Sequence, residues 1–390
     1  MKTKTIPIFL AFLVMGVADA MGPMSDAVKN QFQLSNVMAT LLPFFVFIAF
    51  ALFSVPGGLL ASRIGKKNLL LLGLGLNVIA TAIPTFIDPG FALLLSCIFL
   101  LGVGTTFLQV AGNPIMFDVS PEGSYSRNLA LAQGLKGVGS SASAYLVGLV
   151  LILPIFASMG WRGAFPVFFI FMSLAFITVA TLKVKETKTD VPPSIGSSLS
   201  LLKEPVFALA VLGIFLYVGA EASMARFLKP SLEGFNLSPD NAALLGPTLF
   251  FSSLTVGRLV VGSFKMSPRF AFRVSAALGL LGVVLIITNI MPLALAGVVL
   301  GGLGFANIWP MLFSITVEEK PERASELSGL MCMAISGGAI VPLVMGKLAD
   351  SGFGAVSYIV PLLCFAYLLL ISLKKGKKTA EKELSAQEVQ

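Results

Sequence analysis

The chain has 390 residues, 56% of them apolar and only 12% charged, whereas soluble proteins average about half apolar and a quarter charged. It contains no histidine, which excludes His general bases, Ser-His-Asp triads and His metal sites. The formal charge of +8 sits in loops between apolar segments and not on an aromatic-studded basic face, so membrane topology explains it and nucleic acid does not.

A bilayer-crossing helix takes about 20 mostly apolar residues, and the chain is long enough for a dozen such helices with short loops. In chain order, apolar runs predict spans at 6–25, 37–60, 69–87, 91–117, 129–153 and 162–182. A polar linker at 183–204, containing VPPSIGSS, precedes runs at 206–227, 240–263, 270–290, 292–316, 325–348 and 354–373. Only Met291-Pro292 separates the ninth from the tenth. The opening MKTKTIPIFLAFLVMGVADAMGP has the basic start of a secretory signal, but no small-residue cleavage site follows, so it reads as a retained first span. Cys97, Cys332 and Cys364 fall inside apolar runs and read as packing.

The expected organisation is an all-α membrane protein with twelve transmembrane helices. It divides into a six-helix bundle at 1–182, a cytoplasmic linker at 183–204, a second six-helix bundle at 205–373 and a cytoplasmic tail at 374–390. With both termini inside, 20 of the 27 Lys and Arg residues fall in inner segments and 4 in outer ones, as the positive-inside rule requires. The halves echo each other: GNP at 112–114 ends the fourth span as ANIWP at 306–310 ends the tenth. A repeat of half the chain length is what a six-plus-six transporter rocking about a midplane site leaves in its sequence.

The stretch GGLLASRIGKK at 57–67 resembles the loop signature of the major facilitator superfamily, with a degenerate copy at Thr255-Val256-Gly257-Arg258. That family usually has an acid where this chain has Ser62, so the resemblance implies a weakened charge relay at this turn. FLQVAGNP (107–114), RNLALAQGLKGVG (127–139), FLYVGAE (215–221) and SGLMCMAISGGAIVPLVMGKLAD (328–350) resemble the fucose/glucose/galactose symporter branch. The resemblance implies the major facilitator fold and cation-coupled uptake of a monosaccharide by alternating access. In that branch an acid on the first span and a glutamate on the fourth serve proton coupling and sugar binding. This chain has Gln109 at the second position, and Asp19 lies one turn before the first.

A charge at mid-bilayer is costly unless it meets a partner or water, so each such residue is a functional candidate. Asp19 reads as the cation-coupling carboxylate, or else as a fixed partner of Lys136. Lys136 reads as a sugar contact or as that partner. Glu221 can accept two sugar hydroxyls, or pair with Arg226. Gln109, Asn113 and Gln133 can each donate to and accept from neighbouring hydroxyls, or simply bridge helices. Asn307 with Pro310 breaks the tenth span and frees backbone carbonyls, or makes only a kink. Tyr217 and Trp309 read as stacking platforms or as packing. Arg258 reads as a gate or lipid anchor, and the acidic run Glu318, Glu319, Glu322 and Glu326 as a latch or a solvated face.

The expected function is import of a hexose or related sugar with H+ or Na+ by a single chain in a bacterial inner membrane. Asp19 carries the coupling; Gln109, Asn113, Gln133, Lys136, Glu221 and Asn307 line the substrate. No metal or organic cofactor is expected. The alternatives are a proton-driven exporter, a sugar uniporter and a receptor descended from a transporter; an enzyme is disfavoured because no nucleophile-base pair or metal cluster is present.

Overall fold

The computed structural model describes residues 4–35, 38, 41–156, 158–187, 193–350 and 354–374. Linker residues 188–192 and tail residues 375–390 lie outside that set. Among the described residues the long helices are α1 (Ile6–Ala20, continuing through Met21–Phe32), α2 (Leu41–Ile64), α3 (Lys66–Phe86), α4 (Phe91–Val119), α5 (Tyr125–Ile152), α6 (Gly160–Ala180), α7 (Pro205–Glu233), α8 (Pro239–Ser263), α9 (Pro268–Ile287), α10 (Met291–Glu319), α11 (Pro321–Leu348) and α12 (Val356–Ser372). Among the described residues, nine of them are long and apolar enough to cross a bilayer alone, and α1 and α12 are shorter apolar helices. Expected and observed ends differ by several residues. The second span, expected to end at 60, runs on to Ile64; the fifth, expected from 129, begins at Tyr125; and the first continues past 25 to Phe32. Hydropathy marks the depth of the bilayer, whereas helices keep their hydrogen-bond ladder beyond it: α4 and α7 have 29 residues each, about 43 Å against a hydrocarbon core of about 30 Å. The break between α9 and α10 falls at Asn289, which takes a positive φ of 54° just before Pro292.

Each half uses the same set of helix contacts. In the first half α3 packs on α4, α4 on α2, α3 on α6, and α1 on both α5 and α6. In the second, α9 packs on α10, α10 on α8, α9 on α12, and α7 on both α11 and α12. The contacts between halves obey the same rule, since α2 packs on α11 as α8 packs on α5, and α4 on α11 as α10 on α5. Exposed Phe44, Phe86, Leu281 and Leu370 belong to the apolar outside that a soluble protein would bury.

The two halves close on each other at the end that carries the start of α1 and the end of α12, here the terminus face. A side chain on Gly58 of α2 would come within 2.6 Å of the Ser325 carbonyl and 3.1 Å of the Gly329 Cα on α11. One on Gly329 would meet the Ser54 carbonyl at 2.9 Å. On the other side of the seam, Gly262 of α8 packs on Leu131 of α5, and Gly134 of α5 on Leu259 of α8. Such small-residue contacts let backbones approach and gain dispersion where lipid offers no hydrophobic drive.

Polar groups tie the turns of this face. Gly65, at φ +94°, alone joins α2 to α3. The amides of Lys66 and Lys67 that begin α3 donate to the Glu186 carboxylate, and Lys66 Nζ meets Asp118 Oδ2 at 2.6 Å. Ser62, where the resembling family usually has an acid, returns its hydroxyl to the Gly58 carbonyl. The linker carboxylate and Asp118 supply the charge of this turn. In the linker, the short helix Ile195–Ser200 carries Ser198, which donates to Glu326 at 2.7 Å; Arg323 also grips Glu326. Glu326 is therefore buried, not part of a solvated run, and Glu319 pairs with Arg269 of its own half at 3.3 Å.

Candidate substrate and coupling site

The polar residues of the spans form a chain that runs from an exposed end to a dry one. Asp19 lies where α1 tightens to a 3-10 turn at Gly16–Ala20, and it is exposed. Its Oδ2 accepts from Ser140 on α5 at 2.5 Å, and Ser140 also donates to the Lys136 carbonyl one turn back. The tight approach of α1 and α5 explains the pairing: Ser143 of α5 donates to the Gly16 carbonyl at 3.0 Å. Lys136 does not pair with Asp19. Among the described residues it has no ion pair within 4.0 Å, and its ammonium donates to Gln109 Oε1 at 3.4 Å. Gln109 Nε2 and Gln133 Nε2 then converge on Asn113 Oδ1 at 3.4 and 3.2 Å, and Asn113 Nδ2 reaches Cys332 Sγ of the other half at 4.0 Å.

A second cluster centres on Arg258. Its Nε donates to the Ala306 carbonyl at 3.0 Å, its Nη2 to Tyr217 Oη at 3.1 Å, and its Nη1 to the Gln133 carbonyl across the seam at 3.4 Å. Nη2 also lies 4.0 Å from Glu221 Oε1. Two expectations change here. Glu221 is paired with Arg258 and not with Arg226, which instead lies over the Phe227 ring at 6.0 Å. Arg258 is buried, which disfavours the lipid-anchor reading, and its bond to Gln133 leaves the gate reading. Sequence spacing hides both facts, because Arg226 is only five residues from Glu221 whereas Arg258 comes from another helix. The available signal was a lone arginine inside an apolar helix.

The tenth span breaks at Asn307, with φ −109° and ψ 5°, and this frees the Ala306 carbonyl for Arg258. Asn307 Nδ2 donates to the Gly257 carbonyl at 3.2 Å, while its Oδ1 is buried without a partner among the described residues, as is Trp309 Nε1. Tyr217 packs at a tilt on Phe305, and Trp309 stacks on Phe313. Both aromatics are therefore engaged with protein. Glu221, with 21% of its side chain exposed, and Asp19 mark the open end; Gln109, Asn113, Gln133 and Asn307 are buried at the closed end. The larger cavity of the terminus face, about 630 Å³ around Ser62, Lys66, Lys185 and Glu322, touches none of these residues.

The Major Facilitator Superfamily profile matches residues 8–334. The chain belongs to the major facilitator superfamily. Membership makes it a membrane transporter and not an enzyme. The glucose/galactose transporter of Brucella abortus (strain 9-941) is 32% identical over 371 residues, covering 90% of this chain and 88% of that protein. The L-fucose-proton symporter of Escherichia coli is 23% identical, covering 90% and 88%. Among solved structures, the superfamily transporter FucP in the outward conformation superposes with a TM-score of 0.78 at 20% identity, over 95% of this chain and 98% of that one. At that identity the likeness speaks for the fold alone.

Proposed function

We propose that this superfamily member imports a monosaccharide together with a cation, H+ or Na+, across a bacterial inner membrane, with both termini in the cytoplasm. The observation that carries the reading is the polar chain from exposed Asp19 through Ser140, Lys136, Gln109 and Asn113 to the seam between halves. Sugar-transporting names among the relatives, and the amide-rich lining, favour a polyhydroxylated substrate over an apolar one. The excess of Lys and Arg at the terminus face supports placing that face inside, and in this reading exposed Asp19 faces the outer side.

In this reading Asp19 binds the cation, and Gln109, Asn113, Gln133, Lys136, Glu221 and Asn307 bind the sugar. A ligand shifts a two-state equilibrium only through its differential affinity for the states. Neutralising Asp19 changes the charge beside Lys136, Glu221 and Arg258 at the point where the halves meet. Sugar and cation together then favour release of the Arg258 contact and opening of the inner face. One chain holds the whole pathway.

The test is counterflow and gradient-driven uptake in proteoliposomes, with labelled hexoses and an imposed proton or sodium gradient, alongside Asp19→Asn. Accumulation of one sugar with one cation, and a variant that keeps counterflow but not accumulation, supports the reading. Counterflow that ignores both gradients points to a uniporter, and no sugar exchange by folded protein points to an exporter; either outcome overturns it.

A further inference from the structure

The α4–α5 turn belongs to the first half and the α8–α9 turn to the second, and the two meet at the terminus face around a cavity of about 250 Å³. Ser124, Ser126 and Arg127 line it from one side, Lys265 and Ser267 from the other, and no carboxylate faces it. Arg127 Nε is buried without a partner, and neither Arg127 nor Lys265 makes an ion pair among the described residues. Ser126 is only 6% exposed, yet its hydroxyl has no hydrogen-bond partner there. Ser124 and Ser267 occupy the N-cap positions of the 28-residue α5 and the 20-residue α9, and neither side chain caps its helix. Glu122 of the same turn and Glu318, whose charge reaches Tyr125, both stay off the cavity wall.

These features are complementary to one kind of ligand. Two cations without counterions, three uncommitted hydroxyls and two helix N-termini are donors without an acceptor. A guanidinium fork suits a tetrahedral oxyanion in bidentate fashion. The volume is below the roughly 300–1,000 Å³ of sites for drug-sized ligands, so it suits a single compact group.

We propose that this cavity binds a phosphate group, from an anionic lipid headgroup or from free phosphate, and that bound phosphate holds the terminus face closed. The site is complete only while both turns are together, so occupancy stabilises this state against the one in which the halves part there. The inference does not depend on which substrate is carried.

The experiment uses purified full-length protein with Cys97 and Cys364 replaced by Ala, so that Cys332, buried at the seam, reports opening through maleimide labelling. One arm titrates inorganic phosphate in neutral detergent against chloride of equal ionic strength. The other compares phosphatidylcholine vesicles with and without phosphatidylglycerol. The expected result is saturable, several-fold slower labelling and a raised melting midpoint in one arm, lost in Arg127→Gln/Lys265→Gln while melting without ligand is unchanged. A response to inorganic phosphate identifies the free anion, and a response to phosphatidylglycerol alone identifies the lipid. Should the double variant fail to fold, Ser126→Ala/Ser267→Ala takes its place with the same expectation. The proposal is overturned by equal responses in parent and variants, or by no response in either arm.

Discussion

Arg258 on α8 donates to the carbonyl oxygen of Gln133 on α5 at 3.4 Å, a charged hydrogen bond from one half of the molecule to the other. The same guanidinium holds the Ala306 carbonyl at the break of α10 and lies beside Glu221. One side chain therefore touches the seam, the broken helix and a carboxylate at the open end.

Arg258→Lys keeps the charge but cannot hold two carbonyls and a phenol in a fixed fork. Hydrogen bonds to charged groups contribute about 1.5–3 kcal/mol each, so exchange of labelled substrate should fall at least ~10-fold in this variant, and further in Arg258→Gln. Wild-type exchange by both variants would remove Arg258 from the mechanism.

A side chain on Gly58 would lie 2.6 Å from the Ser325 carbonyl, so Gly58→Val wedges α2 from α11. Cys332 labelling should become several-fold faster, and gradient-driven uptake should fall because the closed state is disfavoured. Unchanged labelling in a folded variant would mean that the seam does not open along this line.

Cys332 is buried, touches Asn113 and faces Ser328 at 3.9 Å. In the protein lacking the other two cysteines, sugar plus cation should accelerate its alkylation, since transport must part α4 from α11. Either solute alone should do less. A rate indifferent to both solutes would separate this thiol from the transport cycle.

Asn307 Oδ1 is buried with no partner among the described residues, as a residue that accepts a substrate hydroxyl would be. Asn307→Ala should raise the sugar concentration for half-maximal counterflow by roughly tenfold, the loss of one buried hydrogen bond to a ligand. The thermal midpoint should also fall modestly, because the Gly257 carbonyl loses its Nδ2 donor, so the comparison is made on folded protein. An unaltered half-saturation point would take Asn307 out of the sugar site.

Lys66 and Asp118 form a 2.6 Å pair with side chains 4% and 0% exposed. Asp118→Ala leaves a buried ammonium unpaired, at a cost of about 3–5 kcal/mol, and should lower the melting midpoint in detergent. Lys66→Met with Asp118→Leu removes both charges and should melt nearer to wild type. Equal melting of the two variants would show that the charge pair is not what stabilises this turn.

The sequence alone determined twelve spans in two similar halves, the basic face, and that Asp19, Lys136 and Glu221 belong to apolar spans. These follow from hydropathy and charge along one dimension, because each helix satisfies its own backbone and must match the bilayer. It also identified the break at Asn307, since Pro310 removes a donor from the helix ladder. Only the tertiary structure decided which side chains meet. Asp19 found Ser140 and not Lys136, Glu221 found Arg258 and not Arg226, and Glu186 reached the start of α3 where Ser62 offers no charge. Partners across helices depend on the rotation of each helix about its axis and on the close approach that small residues permit, and neither quantity is encoded in the period of a single span.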